Sequence, residues 1–347
     1  YEFEHNYSIY ETTHTPFGKT IISFGIKIFG MNPFGYRFAS AVFGSILIFL
    51  FFIVIFLITK NRLATYLTTI LLASSFMSFT LSRIATIDIF VAVFSLLMFA
   101  GMYIYFTYPD IAGKRQYIVL LITGIFMGFS VATKWTGVYA SAGIAVIFFY
   151  KIFTHCYANR AELKKLKVLI PLCFVFFLFI PAAIYILSFK EYTDVYNDKG
   201  LIRQAIDNSI YMFSYHSGVK DFHRFSSEWY QWLIDYNPLL DALDYIDDQT
   251  VSTVSTFINP LICVISLLML IFNIYLWRIK KDYKSAILVI LYFSMLLPWL
   301  LIHRTVFIYQ YFICNIFLTR YERNSISRWF RHTPLPNHKR SEQAAHP

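Results

Sequence analysis

Arg83, Asp88 and Lys134 carry charge at the ends of apolar stretches. Charge at membrane depth is costly, and positions that keep it usually serve a function. An arginine fork can hold an oxyanion through two hydrogen bonds, and a lysine acts as a point charge. A carboxylate can take a proton. For Arg83 and Lys134 the competing explanation is a long side chain that reaches up to the interface. Asp88 is too short for that. Arg83 and Asp88 lie five apart across a turn and can pair, either to aim the guanidinium or simply to hold the turn. The sequence contains no metal-ligand cluster and no glycine-rich nucleotide loop, so neither a metal nor a cofactor is expected. Cys156, Cys173, Cys263 and Cys314 are scattered, three of them in apolar stretches, and read as small hydrophobes.

The elements that must position these charges are membrane helices. Of the 347 residues, 57% are hydrophobic and only 14% charged, against about 25% charged in a soluble domain. The apolar residues come in blocks: residues 45–59 and 168–188 contain no charge at all. A helical span needs about 20 such residues, and helix satisfies every peptide group where water is absent. The expected fold is an all-α polytopic membrane protein of about nine spans, at 35–59, 64–82, 87–106, 116–133, 135–152, 168–188, 254–277, 285–301 and 306–318. Residues 20–30 are too short to span and read as a half-buried helix leading into the first span.

Basic residues in short loops set orientation. One alternate set of loops carries thirteen basic residues, from Lys60 to Lys284, against three acidic ones, Asp110, Glu162 and Asp282. These loops are expected to be cytoplasmic. The net charge of +10 is thus an orientation signal, and nucleic acid is not an expected partner. The long loop 189–251 has eleven acidic and five basic residues and belongs to the opposite, extracytoplasmic set. That set also holds residues 1–34, the 82–87 turn, the Lys134–Trp135 junction and residues 303–309, where nearly all the chemically capable side chains fall.

Those outer segments resemble one family. Glu11-Thr12-Thr13-His14-Thr15-Pro16-Phe17-Gly18-Lys19 and Gly30-Met31-Asn32-Pro33-Phe34-Gly35-Tyr36-Arg37 are similar to the first outer loop of bacterial protein O-mannosyltransferases. Ser82 through Asp88 resembles the family's Arg-x-x-x-x-Asp turn, and Ala132-Thr133-Lys134-Trp135-Thr136-Gly137-Val138-Tyr139 its Thr-Lys-Trp motif. In the long loop, Tyr215-His216 and His223 through Trp232 resemble its Tyr-His and His-Pro-Phe-Ser-Ser-x-Trp segments. Leu297-Pro298-Trp299 and Arg304 through Phe312 complete the set. Each motif alone is weak, but six in order between Glu11 and about Phe317 are specific. Departures occur where Thr15, Arg224 and Leu233 replace prolines and Gln310 replaces histidine.

The resemblance implies a GT-C type glycosyltransferase architecture. It also implies inverting transfer of mannose, or a similar sugar, from a polyprenyl-phosphate carrier to Ser or Thr of exported proteins at the extracytoplasmic face of the plasma membrane. Lys19, Arg83, Lys134 and Arg304 would then hold the donor phosphate as its charge develops. Glu11 and Asp88 would be secondary carboxylates; solvated loop charge is the alternative for Glu11. His14 is expected to be structural or donor-binding. His216, His223, Trp229, Trp232 and Tyr309 would contact donor or acceptor, unless the aromatic residues only form an interfacial belt. Trp229 and Trp232 are spaced to share one helical face.

The family's Asp-Glu pair, assigned the base role, would lie ahead of Tyr1, so an N-terminal segment is expected to be missing. The transmembrane domain would run over 1–318. Residues 319–347 turn abruptly to Arg, His, Pro, Ser and Glu and read as a disordered or aberrant tail. The alternatives are a non-catalytic fragment of such an enzyme and a polytopic transporter. The absence of an internal repeat and the clustering of charge at one face, away from the midplane, count against the transporter.

Overall fold

The computed structural model describes residues 11–195, 200–247 and 249–316. The tail expected at 319–347 lies outside them. Among the described residues, seven helical segments are long and apolar enough to cross a membrane: Pro33–Thr59, Asp88–Thr107, Lys114–Thr133, Thr136–Ala158, Arg160–Asp194, Pro260–Lys280 and Tyr283–Leu301. This is a multi-pass membrane protein.

Local sequence sets the element ends. Helix α1 (Phe17–Phe29) covers the expected short helix and ends at Gly30, whose φ of 84° suits glycine. Helix α2 (Pro33–Thr59) begins at Asn32, whose side chain accepts from the Phe34 and Gly35 N–H groups, with Pro33 in the first turn. The span expected at 64–82 is two helices, α3 (Arg62–Ala73) and α4 (Phe76–Leu81). Ser74 and Ser75 separate them; serine competes for backbone hydrogen bonds and favours helix ends. Helices α5 (Asp88–Thr107), α6 (Lys114–Thr133) and α7 (Thr136–Ala158) follow.

Helix α5 is the axis of the molecule. Its most apolar window is 78% buried, against 17% for the segment Arg160–Asp194, which turns most of its surface outward. Helices α2, α6 and α7 pack around it. The segment Arg160–Asp194 includes α8 (Leu163–Phe174), a π-helical stretch Val175–Phe179 and α9 (Ile180–Leu187). Gly124 of α6 meets that stretch so closely that a Cβ would stand 2.0 Å from the Phe176 carbonyl oxygen.

The long loop carries structure of its own. It contains α10 (Lys190–Val195), α11 (Leu201–Gly218) and a hairpin of β1 (Leu239–Tyr245) with β2 (Val251–Thr256), a minor addition to the helical architecture. The span expected from residue 254 therefore starts later, as α12 (Pro260–Lys280). β-Branched Val251, Thr253, Val254 and Thr256 favour extended chain, and Pro260 opens the helix. Helix α11 buries Gln204, Ala205, Asn208 and Met212 and exposes Ile202, Ile206, Ile210 and Phe213 beside Arg203, so polar Gln204 and Asn208 face the protein while several large apolar side chains face outward. Helix α13 (Tyr283–Leu296) continues in a 3-10 turn to Leu301. The span expected at 306–318 appears as a 3-10 turn, Ile308–Tyr311, and the start of α14 (Phe312–Ile316), at the limit of the described residues.

The loops read as one basic set touch one another. Lys284 donates to the Ile58 carbonyl, and Lys165 pairs with Asp110. Lys151, expected in a loop, lies inside α7 and is 1% exposed. Its ammonium donates to the Tyr105 and Tyr108 carbonyls at 2.5 and 2.8 Å, which satisfies the open C-terminal end of α5. Lys151→Met should leave those carbonyls unpaired and destabilise the protein by about 1–3 kcal/mol. Thermal unfolding in detergent would read this as a lowered Tm, and an unchanged Tm would refute the capping role.

Candidate active site

The start of α5, the α6–α7 junction, the first loop, the end of α11 and residues 303–309 converge at one end of the bundle. Lys134 stands at the junction, 6% exposed. Its ammonium donates to Asp88 Oδ1 at 2.6 Å and lies 4.9 Å from the centre of the Tyr309 ring. Burial works against the ammonium, but Asp88 outweighs it and holds the Lys134 pKa above the usual lysine value. The expected partner of Asp88, Arg83, is elsewhere. It is exposed, with its guanidinium 3.9 Å from the Phe79 ring centre. Lys134 wins because it reaches Asp88 from a neighbouring buried helix end.

Lys19 is brought in by close packing. A Cβ on Gly18 would meet Ile87 Cγ2 at 2.7 Å and Thr133 Cγ2 at 3.0 Å, so α1 lies directly against the residues preceding Asp88 and Lys134. The Lys19 ammonium pairs with the Glu11 carboxylate, donates to the Glu11 carbonyl at 2.6 Å and donates to the Tyr192 hydroxyl at 3.1 Å. Burial raises the Glu11 carboxyl, but Lys19 and Thr13 outweigh this and lower its pKa. Thr15, at a position where the resembled segment has proline, is fully buried. Its hydroxyl has no hydrogen-bond partner among the described residues.

The His14 ring stacks on His216 with centroids 5.3 Å apart. His216 Nε2 donates to the Thr13 carbonyl at 2.8 Å, and its Nδ1 accepts from Arg304 Nη1 at 3.0 Å. Those two partners require the neutral Nε2–H tautomer. Burial and Arg304 together lower the His216 pKa despite the Thr13 contact. Burial, with Lys134, His216, Lys19 and Arg304 adding to it, lowers that of His14 to about 2. Asn208 fastens α11 to the first loop through the Thr12 carbonyl at 3.2 Å.

Two adjoining cavities open here. One, of about 510 Å³, is lined by His14, Lys134, Tyr139, His216, Trp299 and Arg304 among others. The other, of about 530 Å³, includes Glu11, Lys19, Asp88, Asp241 and Tyr309, and shares His14 and Lys134 with the first. Of the residues expected from sequence, Glu11, His14, Lys19, Asp88, Lys134, His216, Arg304 and Tyr309 are thus brought together. Arg83, His223, Trp229 and Trp232 line neither cavity. His223 is exposed, accepts the Phe225 N–H and meets Phe307 edge-on. Trp232 is fully buried, donates to Ser227 and packs edge-on against Trp299. Only residues 231–234 form a helical turn, so the common face expected for Trp229 and Trp232 does not arise. Asp241 was missed, being one of eleven acidic residues in a loop whose hairpin left no pattern strong enough to single it out.

Residues 12–197 match the family described as dolichyl-phosphate-mannose-protein mannosyltransferase. The chain belongs to that family. Among the relatives of this chain is the polyprenol-phosphate-mannose–protein mannosyltransferase of Mycobacterium tuberculosis, 23% identical over 82% of this chain and 64% of its own length. That of Mycolicibacterium smegmatis is 24% identical over 82% of this chain and 65% of its own. The chain therefore spans just under two thirds of these relatives. The fold is that of the S. cerevisiae protein O-mannosyltransferase Pmt1-Pmt2 complex bound to the sugar donor, with TM-score 0.76 and 11% identity over 92% of this chain and 78% of that one. ArnT from Cupriavidus metallidurans, bound to undecaprenyl phosphate, matches with TM-score 0.59 and 14% identity over 89% of this chain and 48% of its own. The architecture is GT-C, and the transporter alternative is dropped.

The histidines give the site a pH dependence of stability. His14 is held neutral in the folded state, with a pKa of about 2, while an unfolded histidine titrates near about 6.5. A depressed folded pKa contributes stability that is present above the unfolded value and lost as pH falls towards the folded one. The Tm should therefore fall between pH 7.5 and 5, and His14→Gln should flatten that slope. An identical slope in the variant would show that His14 is not held neutral.

Proposed function

We propose that this mannosyltransferase-family chain carries the donor-binding part of an enzyme that moves mannose, or a similar sugar, from a polyprenyl phosphate to a Ser or Thr hydroxyl of an exported protein. The observation that carries the reading is Lys134. Buried against Asp88, it forms the wall between two cavities and faces both. The leaving group is a phosphate whose negative charge grows as the anomeric carbon–oxygen bond breaks. A preorganised ammonium in a shielded site stabilises that charge most where it develops. Arg304, already oriented by His216, and Lys19, held by Glu11, add cationic donors on either side.

Glu11 and Asp88 act as secondary carboxylates in this scheme, since each is oriented by its own lysine. They shape the field at the phosphate and accept hydrogen bonds from sugar or acceptor. Inversion follows if the hydroxyl attacks from the side opposite the leaving phosphate. Arg83 is given a lesser part than its sequence position suggested, because it stacks on Phe79 outside both cavities.

The membrane would be the plasma membrane, with the cavities on the extracytoplasmic side. The basic loop set supports this, as does the gathering of the cavity-lining motifs in the opposite, less basic loop set. Lys220→Cys in a background lacking the native cysteines should react with an impermeant maleimide in intact cells, and Lys164→Cys should not. The reverse pattern would overturn the sidedness and the acceptor class with it.

Transfer itself is tested in membranes with radiolabelled polyprenyl-phosphate mannose and a Ser/Thr peptide, using the full-length protein. Lys134→Met should reduce turnover by about 10²-fold or more, the scale of removing one preorganised donor to developing charge. Arg83→Ala should cost less than about tenfold, the scale of a lost exposed contact. Wild-type turnover in Lys134→Met would remove the basis of this reading.

A further inference from the structure

The cavity that holds Glu11, Lys19, Asp88 and Lys134 takes one lining residue, Asp241, from a different part of the chain, the β1–β2 hairpin. The ladder pairs Leu240 with Ser255 and then Ala242 with Val254, so Asp241 is the extra residue of a bulge. Bulges redirect a side chain out of the ordinary alternation of a strand. Here the redirected side chain enters the cavity. Thr256, fully buried at the base of the hairpin, donates its hydroxyl to Asp241 Oδ2 at 2.7 Å and orients the carboxylate.

The three carboxylates lining this cavity are not equivalent. Glu11 is neutralised by Lys19, and Asp88 by Lys134. Asp241 has no ion pair among the described residues; the residue as a whole is exposed, and the partial enclosure of its carboxylate raises its pKa despite the Thr256 hydrogen bonds. An oriented carboxylate without a cation repels phosphate and suits a neutral hydrogen-bond donor. Arg304 lines only the adjoining cavity, whereas Lys134 lines both and is held by Asp88, and Lys19 on the Asp241 side is held by Glu11. The combined site is therefore polarised, with phosphate favoured at the Arg304 side and uncharged donor groups at the Asp241 side.

We infer that Asp241 is a positioning residue that accepts a hydrogen bond from an alcohol hydroxyl of the substrate, which makes the hairpin the element that recognises the uncharged part of the ligand. This rests on the sugar-transfer reading above. The alcohol is either a hydroxyl of the transferred sugar or the Ser/Thr hydroxyl of the acceptor, and binding measurements separate the two.

The full chain in lipid nanodiscs would be titrated with sugar-free polyprenyl phosphate, with mannosylated polyprenyl phosphate and with a serine-containing peptide. Asp241→Asn keeps the shape and removes the charge. It should leave affinity for the bare phosphate within about twofold and weaken one of the other two ligands by about tenfold, the scale of a lost charge-assisted hydrogen bond. Loss confined to the mannosylated lipid identifies the sugar, and loss confined to the peptide identifies the acceptor. Thr256→Val, which frees the carboxylate to rotate, should weaken the same ligand by a smaller factor and carries the test if Asp241→Asn fails to assemble. Unchanged affinity for all three ligands would overturn the inference. So would a wild-type protein that binds the mannosylated lipid no better than the bare phosphate and does not bind the peptide. The phosphate reading stands or falls separately, on whether Lys134→Met weakens binding of the sugar-free lipid.

Discussion

The buried ion pair between Lys134 and Asp88 holds this end of the molecule together. Each charge alone would be expensive in a bundle surrounded by lipid, because the desolvation of an ammonium or carboxylate is not recovered from apolar neighbours. Paired at 2.6 Å, they tie the first residue of α5 to the α6–α7 junction, and so join the most buried helix to its two neighbours. The pair also determines where the cavities can be, since Lys134 separates them. Because the field of Asp88 keeps Lys134 charged, one interaction serves both the packing and the electrostatics of the site.

A second chain of contacts runs outward from it. The neutral His216 ring takes a proton donor from Arg304 on one side and gives one to the Thr13 carbonyl on the other. Stacked on His14, it links the C-terminal segment, the long loop and the first loop in a few ångströms. A protonated His216 could not accept from a guanidinium, so the histidine pair is stable only when neutral. Burial keeps both rings so, helped by the positive charge of Lys134 and Arg304 around them. The long loop is therefore part of the site: α11 lines one cavity with Met212 and His216, and the hairpin adds Asp241 to the other.

Helix α11 also shows how lipid changes the usual amphipathic rule. In water a surface helix turns its apolar stripe inward. Here Gln204 and Asn208 point to the protein, where Asn208 finds the Thr12 carbonyl, and Ile202, Ile206, Ile210 and Phe213 point away. A helix lying at a bilayer interface would have that arrangement. Five residues separate the start of α11 from α10, which closes an apolar segment long enough to span.

Much of this was legible in the linear sequence. The apolar blocks determined the membrane class, because the bilayer imposes a length and a hydrophobicity that few other folds require. The alternation of basic loops grouped Glu11, His14, Lys19, Asp88, Lys134, His216, Arg304 and Tyr309 on one face, and the ordered motifs between Glu11 and Phe312 pointed to the family. The sequence did not contain the pairings. Arg83 stands closer to Asp88 in sequence than Lys134 does, yet Lys134 takes the carboxylate, because two helices bring position 134 to position 88 across a packed interface while Arg83 turns outward over Phe79. Trp232 belongs to an aromatic motif and is buried as core, while Asp241, in no motif, enters the cavity on a strand bulge. Hydrophobicity and loop charge are summed along the chain and survive as linear patterns. Ion pairs, tautomers and cavity walls depend on distances between segments far apart in sequence, and only the folded structure supplies those distances.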